Sequence, residues 1–99
     1  EWEVPRALQF QLEVKMNKAI LIQADDWEGL FVNGKLVEEG HTLNEGKSRT
    51  KYFIKLSKQY DFDLEELVET EIDEEDEEEL YNIGCFPENI NELKGKYEL

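Results

Sequence analysis

The sequence predicts an α+β domain: a small antiparallel sheet built on a central β-hairpin, with one or two helices packed on one face. Three observations carry that expectation. Ala19-Ile20-Leu21-Ile22 is a short apolar run rich in branched side chains, which suits a buried strand. Leu30-Phe31-Val32 and Leu36-Val37 flank Asn33-Gly34, the dipeptide best able to take the positive φ angles of a type I′ turn. Between Gly46 and Tyr60 the pattern becomes helical, with Lys47, Lys51, Lys55 and Lys58 recurring at spacings of four, four and three residues.

The 99 residues suit one domain, with a 39% hydrophobic fraction sufficient for one modest core. The domain is expected to occupy residues 16–99, because Met16-Asn17-Lys18 runs straight into the first strand. Residues 1–15 read as an extension, the kind of segment an expression remnant or upstream translation leaves. Leu8, Phe10, Leu12 and Val14 nevertheless alternate with polar residues, a pattern that would suit an added edge strand.

After the first strand, Asp25-Asp26 ends the apolar run with side chains that compete for backbone hydrogen bonds and so favour a turn. The hairpin follows. In the segment Gly46 to Tyr60, Ser48 or Thr50 is a candidate helix cap, and Tyr52, Phe53, Leu56 and Tyr60 fall on a side that can pack on the sheet. The lysine stripe with interleaved aromatics is read as the solvated face of that helix and not as a nucleic-acid site, since the whole chain is acidic. Tyr52-Phe53-Ile54 could also open a strand.

Asp61 to Leu80 reverses the charge, with thirteen acids and no base. Val68, Thr70 and Ile72 alternate with Glu69, Glu71 and Asp73, as in a strand with one wet face. Glu74 to Asn82 reads as a short helix, with Asp73 at its N-cap and Gly84 at its stop. Cys85 to Asn89 is expected to form a turn anchoring Phe86 in the core. Asn89 or Asn91 then begins a short helical turn through Leu93, and Lys94 to Leu99 is expected to fray.

The segment DDWEGLFVNGKLVEEGH from Asp25 to His41, together with Phe86-Pro87-Glu88-Asn89, resembles a motif of small uncharacterised bacterial and phage proteins. Those carry a DDWEGLYxxGKLxxEGH-like segment after an initial strand and a later FPEN-like turn. The resemblance spans Met16 to Leu93 and implies a compact α+β fold. It implies no catalytic residue, and Phe31 stands where tyrosine is expected.

Formal net charge is −14, from 25 acids against 11 bases, so nucleic acid and anionic membranes repel the chain while basic protein surfaces attract it. No apolar run approaches the roughly 18 residues of a membrane span, and no secretory pattern is seen. A single cysteine makes an intrachain disulfide impossible, and a cytoplasmic setting is expected. His41 is the sole histidine. A Cys85–His41 nucleophile dyad is conceivable, but nearby acids would raise the thiol pKa, and a buried structural thiol is expected instead. Asp25, Asp26 and Glu28 beside His41 could bind a divalent ion, or simply make up a turn whose acids face water. Gly29, Gly34 and Gly40 are spaced as hairpin punctuation and not as a phosphate loop, and Asp73 to Glu79 lacks EF-hand spacing. No catalytic residue, cofactor or metal site is therefore assigned.

Two classes of function fit. The first is a small acidic binding protein that offers its carboxylates to a basic protein, as a nucleic-acid-mimicking inhibitor from a phage or mobile element would. Its candidate contact residues are Trp27, Asp73, Glu74, Glu75, Asp76, Glu77, Glu78 and Glu79. The second is a structural or regulatory module that pairs through a sheet edge or hairpin, its acids serving solubility. A small metal-dependent enzyme is a distant third.

Overall fold

The computed structural model describes residues 17–97, so the expectations for residues 1–15 fall outside the described residues. In chain order the elements are β1 (Ala19–Gln23), β2 (Glu28–Val32), β3 (Lys35–Gly40), α1 (Arg49–Gln59), β4 (Val68–Glu71) and α2 (Glu74–Ile83). Single 3-10 turns lie at Leu64–Glu66 and Ile90–Glu92. The α+β class and the central hairpin are as the sequence predicts.

The sheet runs β3-β2-β1-β4. β2 is antiparallel to both β1 and β3, but β4 lies parallel to β1, so the sheet is mixed and not wholly antiparallel. Alternation in a sequence shows which residues share a face and says nothing of strand direction. Here α1 carries the chain back across the sheet before β4 begins, the kind of crossover a parallel pair needs.

The expectation of helices on one face is also corrected, because both faces of the sheet are covered. Ala19, Leu21, Leu30 and Val32 pack with Phe53 and Leu56 of α1, and with Leu43 and Phe62. Ile20, Ile22 and Phe31 pack on the other side with Leu80 of α2, Phe86 and Ile90. β1 can serve both layers because its first four residues are all apolar and all buried. Each fully buried Leu, Ile or Phe contributes about 1.5–3 kcal/mol.

Asn33 (φ 52°) and Gly34 (φ 84°) make the hairpin turn in left-handed backbone. Asn33 is tied down further: its Oδ1 accepts from the Lys18 amide at 3.0 Å, and its own amide donates to the Lys18 carbonyl at 2.8 Å. Gly34→Val is expected to cost about 1–3 kcal/mol through strain at positive φ. A thermal melt checks this, and an unchanged melting temperature counts against the hairpin.

Beyond the turn the β2–β3 register slips between Leu30 and Phe31, which leaves Val37 as an extra residue on β3. The outer edge of β3 is covered near the turn. Leu36 donates to the Glu88 carbonyl at 2.9 Å, and Ile90 donates to the Gly34 carbonyl at 2.8 Å. Phe86 reaches the core from this strip and meets the Phe31 ring edge-on at 5.6 Å. The strip can lie so close because residue 29 lacks a side chain: a Cβ there would sit 2.6 Å from the Phe86 ring.

α1 begins at Ser48, whose hydroxyl accepts from the Lys51 amide at 3.4 Å. Its buried residues are Phe53 and Leu56, and Tyr52 and Tyr60 pack half-buried beside them. The Tyr60 hydroxyl donates to Glu38 Oε2 at 2.8 Å. Burial and the neighbouring Glu38 carboxylate push its pKa up to about 12.

Over Lys94 to Tyr97 the expectation of fraying is corrected, while residues 98–99 lie outside the described residues. The carboxylate of Asp76 on α2 accepts the Lys94 amide at 2.7 Å, the Gly95 amide at 2.8 Å and the Tyr97 hydroxyl at 2.7 Å. Leu93 and Tyr97 pack against the second core cluster. A local signal for loose ends cannot register an anchor lying 18 to 21 residues away.

Candidate partner-binding surface

α2 begins in the form that acidic residues favour. Asp73 occupies the N-cap position in extended backbone, and Glu74, Glu75, Asp76 and Glu77 fill the first turn, where the helix dipole stabilises negative charge. Gly84 (φ 95°) closes the helix in left-handed backbone, its amide donating to the Leu80 carbonyl at 2.7 Å.

The helix then sorts the acidic run by orientation. Asp73, Glu74, Glu75, Glu78 and Glu79 are exposed, and Glu77 is half-buried, its Oε2 accepting the Asp25 amide at 3.0 Å. Asp76 is 2% exposed and holds the chain end, so it cannot contact a partner. The expectation that it does is corrected here. It lies four residues before the buried Leu80, on the same inward stripe of the helix. Burial alone would raise its pKa. The Tyr97 hydroxyl and the Lys94 and Gly95 amides outweigh that and hold it below the usual carboxylate range.

Where β1 and β4 end, the Asp25-Asp26 turn faces the first turns of α2 across an open cleft of about 740 Å³. Asp25, Glu71, Glu74, Glu77, Glu78 and Tyr81 line it, with no basic residue among the lining. Tyr81 accepts the Asp26 amide at 2.8 Å, which fixes the turn against the helix. The lysine stripe is elsewhere: Lys51, Lys55 and Lys58 are exposed on α1, across the sheet. The lysines of α1 and the acids of α2 therefore lie on opposite faces of the sheet. Acids from Asp61 to Glu71 do not all join the α2 face. Asp63 caps the 3-10 turn by accepting the Glu65 amide at 2.9 Å, and Glu69 lies on the α1 side near Arg49.

Trp27 is half-buried against the second core cluster. Its indole N–H donates to Glu39 Oε1 at 2.9 Å, and the same oxygen accepts the Phe86 amide at 2.9 Å. The ring also meets His41 edge-on at 4.8 Å. The structure thus gives Trp27 a bracing role, and places it next to the Asp25-Asp26 turn and not on the α2 helix.

Asp25, Asp26, Glu28 and His41 all line one open cleft of about 440 Å³, but their side chains do not converge on a common point. His41 Nδ1 lies 3.3 Å from Asp26 Oδ2, with both side chains mostly exposed, while Asp25 turns to the acidic cleft. Glu28 is buried and takes a role the sequence did not reveal. Its carboxylate receives Arg49 at two positions, 2.8 and 3.0 Å, and the Leu43 amide at 2.9 Å. Burial pushes its pKa up, but the Arg49 and Leu43 hydrogen bonds outweigh that and leave it lowered. Arg49 also sits 4.9 Å over the Phe53 ring. Among the described residues, no three His, Cys, Asp or Glu side chains converge as a metal site.

Cys85 is exposed, which corrects the expectation of a buried thiol. It follows the helix-ending Gly84 and lines a groove with Ile83, Phe86 and Pro87. No helix of the described residues is long and apolar enough to cross a membrane. Comparisons of the chain with protein-family models, with curated proteins and with solved structures found no match.

Proposed function

We propose that this protein is a binding module whose α2 face, carrying Asp73, Glu74, Glu75, Glu78 and Glu79, docks on a Lys/Arg-rich surface of a protein partner. The observation that supports this best is the separation of charge across the sheet. The exposed acids of α2 are not neutralised by the lysines of α1, which lie on the opposite face. The ion pair made by an α2 acid, Glu79 with Lys94, is 3.8 Å long with both side chains about half exposed, and such pairs contribute little. Repulsion along an unneutralised row of carboxylates is relieved when a cationic surface arrives. A nucleic-acid-binding protein presents such a surface, and blocking it by mimicry suits a small phage or mobile-element product. The resemblance of the strand–turn–hairpin to bacterial and phage proteins agrees with that origin, and a cytoplasmic setting with that partner.

Pairing through a sheet edge is less well supported. The β3 edge is partly covered by Glu88–Ile90, and β4 is a four-residue strand carrying exposed Glu69 and Glu71, features that discourage strand addition.

The test is affinity capture from lysate at low and high salt, with the parent and with Glu74, Glu75, Glu78 and Glu79 all changed to glutamine. Glu77 is left alone because it holds the Asp25 amide. The variant is expected to fold with equal or slightly greater stability. Its binding to the captured partner should fall at least about tenfold at low salt, mostly through slower association. Equal retention of that partner would reduce the acids to a solvated face.

A further inference from the structure

The inward stripe of α2 does not end where the core ends. Asp76 and Leu80 are buried, but Ile83, three residues further on, is 67% exposed, more than any other large apolar side chain described. Beside it a groove of about 230 Å³ runs between the end of α2 and the Cys85–Pro87 turn, with Leu80, Ile83, Phe86, Pro87 and Leu93 supplying its apolar walls. That volume is below the roughly 300–1,000 Å³ of small-molecule sites and is suited to a single inserted side chain. The charged residues lining it are all acidic: Asp76, which is committed to the chain end, and Glu79 and Glu92, both exposed. Upstream on the same helix, Glu75 and Glu79 precede Ile83 by eight and four residues, so carboxylates follow the groove at about 5.4 Å per turn.

We infer that this groove is the anchor site of the interface: it seats one aliphatic side chain of a basic partner segment whose lysines or arginines lie one and two helical turns from that anchor. The inference rests on α2 being the partner-facing element, and adds to it a specificity that charge alone cannot supply. Carboxylates attract any cation, whereas an apolar socket at one end of the row selects a register and a partner residue type. An occupant with acidic flanks is excluded by Glu79 and Glu92, and a purely cationic one leaves Ile83 in water.

The test uses the full chain and helical Lys/Ala peptides bearing one leucine, with lysines four and eight residues to either side of it, titrated at low and at 0.5 M salt (~3 Å screening length at 1 M, about 10 Å at 0.1 M). A control peptide has serine in place of the leucine. The leucine peptide is expected to bind at least about tenfold tighter than the serine peptide. Ile83→Ser, a change at an exposed position, should remove that preference and leave serine-peptide binding as it was. The Glu74, Glu75, Glu78 and Glu79 to glutamine variant should weaken both peptides.

Equal affinity of the two peptides for the parent would overturn the anchor while leaving the acidic docking face intact. Failure of both peptides to bind at low salt would overturn both readings. A preference for leucine that survives Ile83→Ser would place the anchor elsewhere and overturn this site. Concentration-dependent self-association of the parent that Ile83→Ser abolishes would make a second copy of the chain the occupant, and would overturn the basic segment.

Discussion

Arg49→Met is expected to destabilise the protein by about 2–4 kcal/mol, measured as a lower midpoint in urea unfolding. The substitution keeps much of the packing stem but leaves the Glu28 carboxylate, 8% exposed, without its cation. Removing one partner of a fully buried pair costs about 3–5 kcal/mol, and the 40% exposure of the Arg49 side chain lowers the expectation, since water screens that end of the pair. The cost should reach beyond the pair. Glu28 also holds the Leu43 amide, so the loop between β3 and α1 depends on the same carboxylate. Changing Glu28 and Arg49 together to methionine should recover much of the loss, because the uncompensated buried charge disappears along with its partner. A single Arg49→Met variant that unfolds like the parent would mean that the pair contributes nothing.

Asp76→Ala is the second large expectation, at about 2–4 kcal/mol, from the loss of charged-acceptor hydrogen bonds to two amides and one hydroxyl. Here the damage should be local first. Hydrogen exchange should show the Lys94 and Gly95 amides losing protection while β1 and β2 keep theirs. Asp76→Asn retains one acceptor oxygen and should fall between parent and alanine. The pH dependence follows from the direction of the shift. With the folded pKa of Asp76 depressed, its stabilisation is complete above the ordinary carboxylate pKa of about 3.9 and is lost as pH falls through the lower folded value. Glu28, also depressed, acts in the same sense from its own ordinary value near 4.3. Acid unfolding of the parent should therefore begin below about pH 4, and Asp76→Ala should flatten the acid limb. Amide protection at Lys94 and Gly95 that matched the parent would remove Asp76 from this role.

Much of the local structure is legible in the residues alone. The Asn33-Gly34 turn, the Ser48 cap, the inward Phe53 and Leu56, and the Asp73 and Gly84 limits of α2 all depend on neighbours within a few positions. Exposure of Glu74, Glu75, Glu78 and Glu79 is legible for a related reason: carboxylates without partners stay in water. Even the double-sided sheet had a trace, since Ala19 to Ile22 is apolar at every position instead of alternating.

What the tertiary structure decided are the roles that depend on residues distant in the chain. Whether β4 runs with or against β1 depends on the path of the chain between them, which no pattern within either strand records. Asp76 differs locally from the acids around it only in lying four residues before Leu80. It becomes an internal anchor because its place on the inward stripe meets Lys94, Gly95 and Tyr97. Glu28 likewise looked like one more acid of a turn until Arg49, 21 residues later, came to lie against it. The sequence by itself determined the hairpin, the helices and a surplus of negative charge, because those follow from local sterics and from the cost of desolvating a carboxylate. Only the packed structure determined which carboxylates are committed to the fold, because desolvation can be offset only by partners that folding brings together.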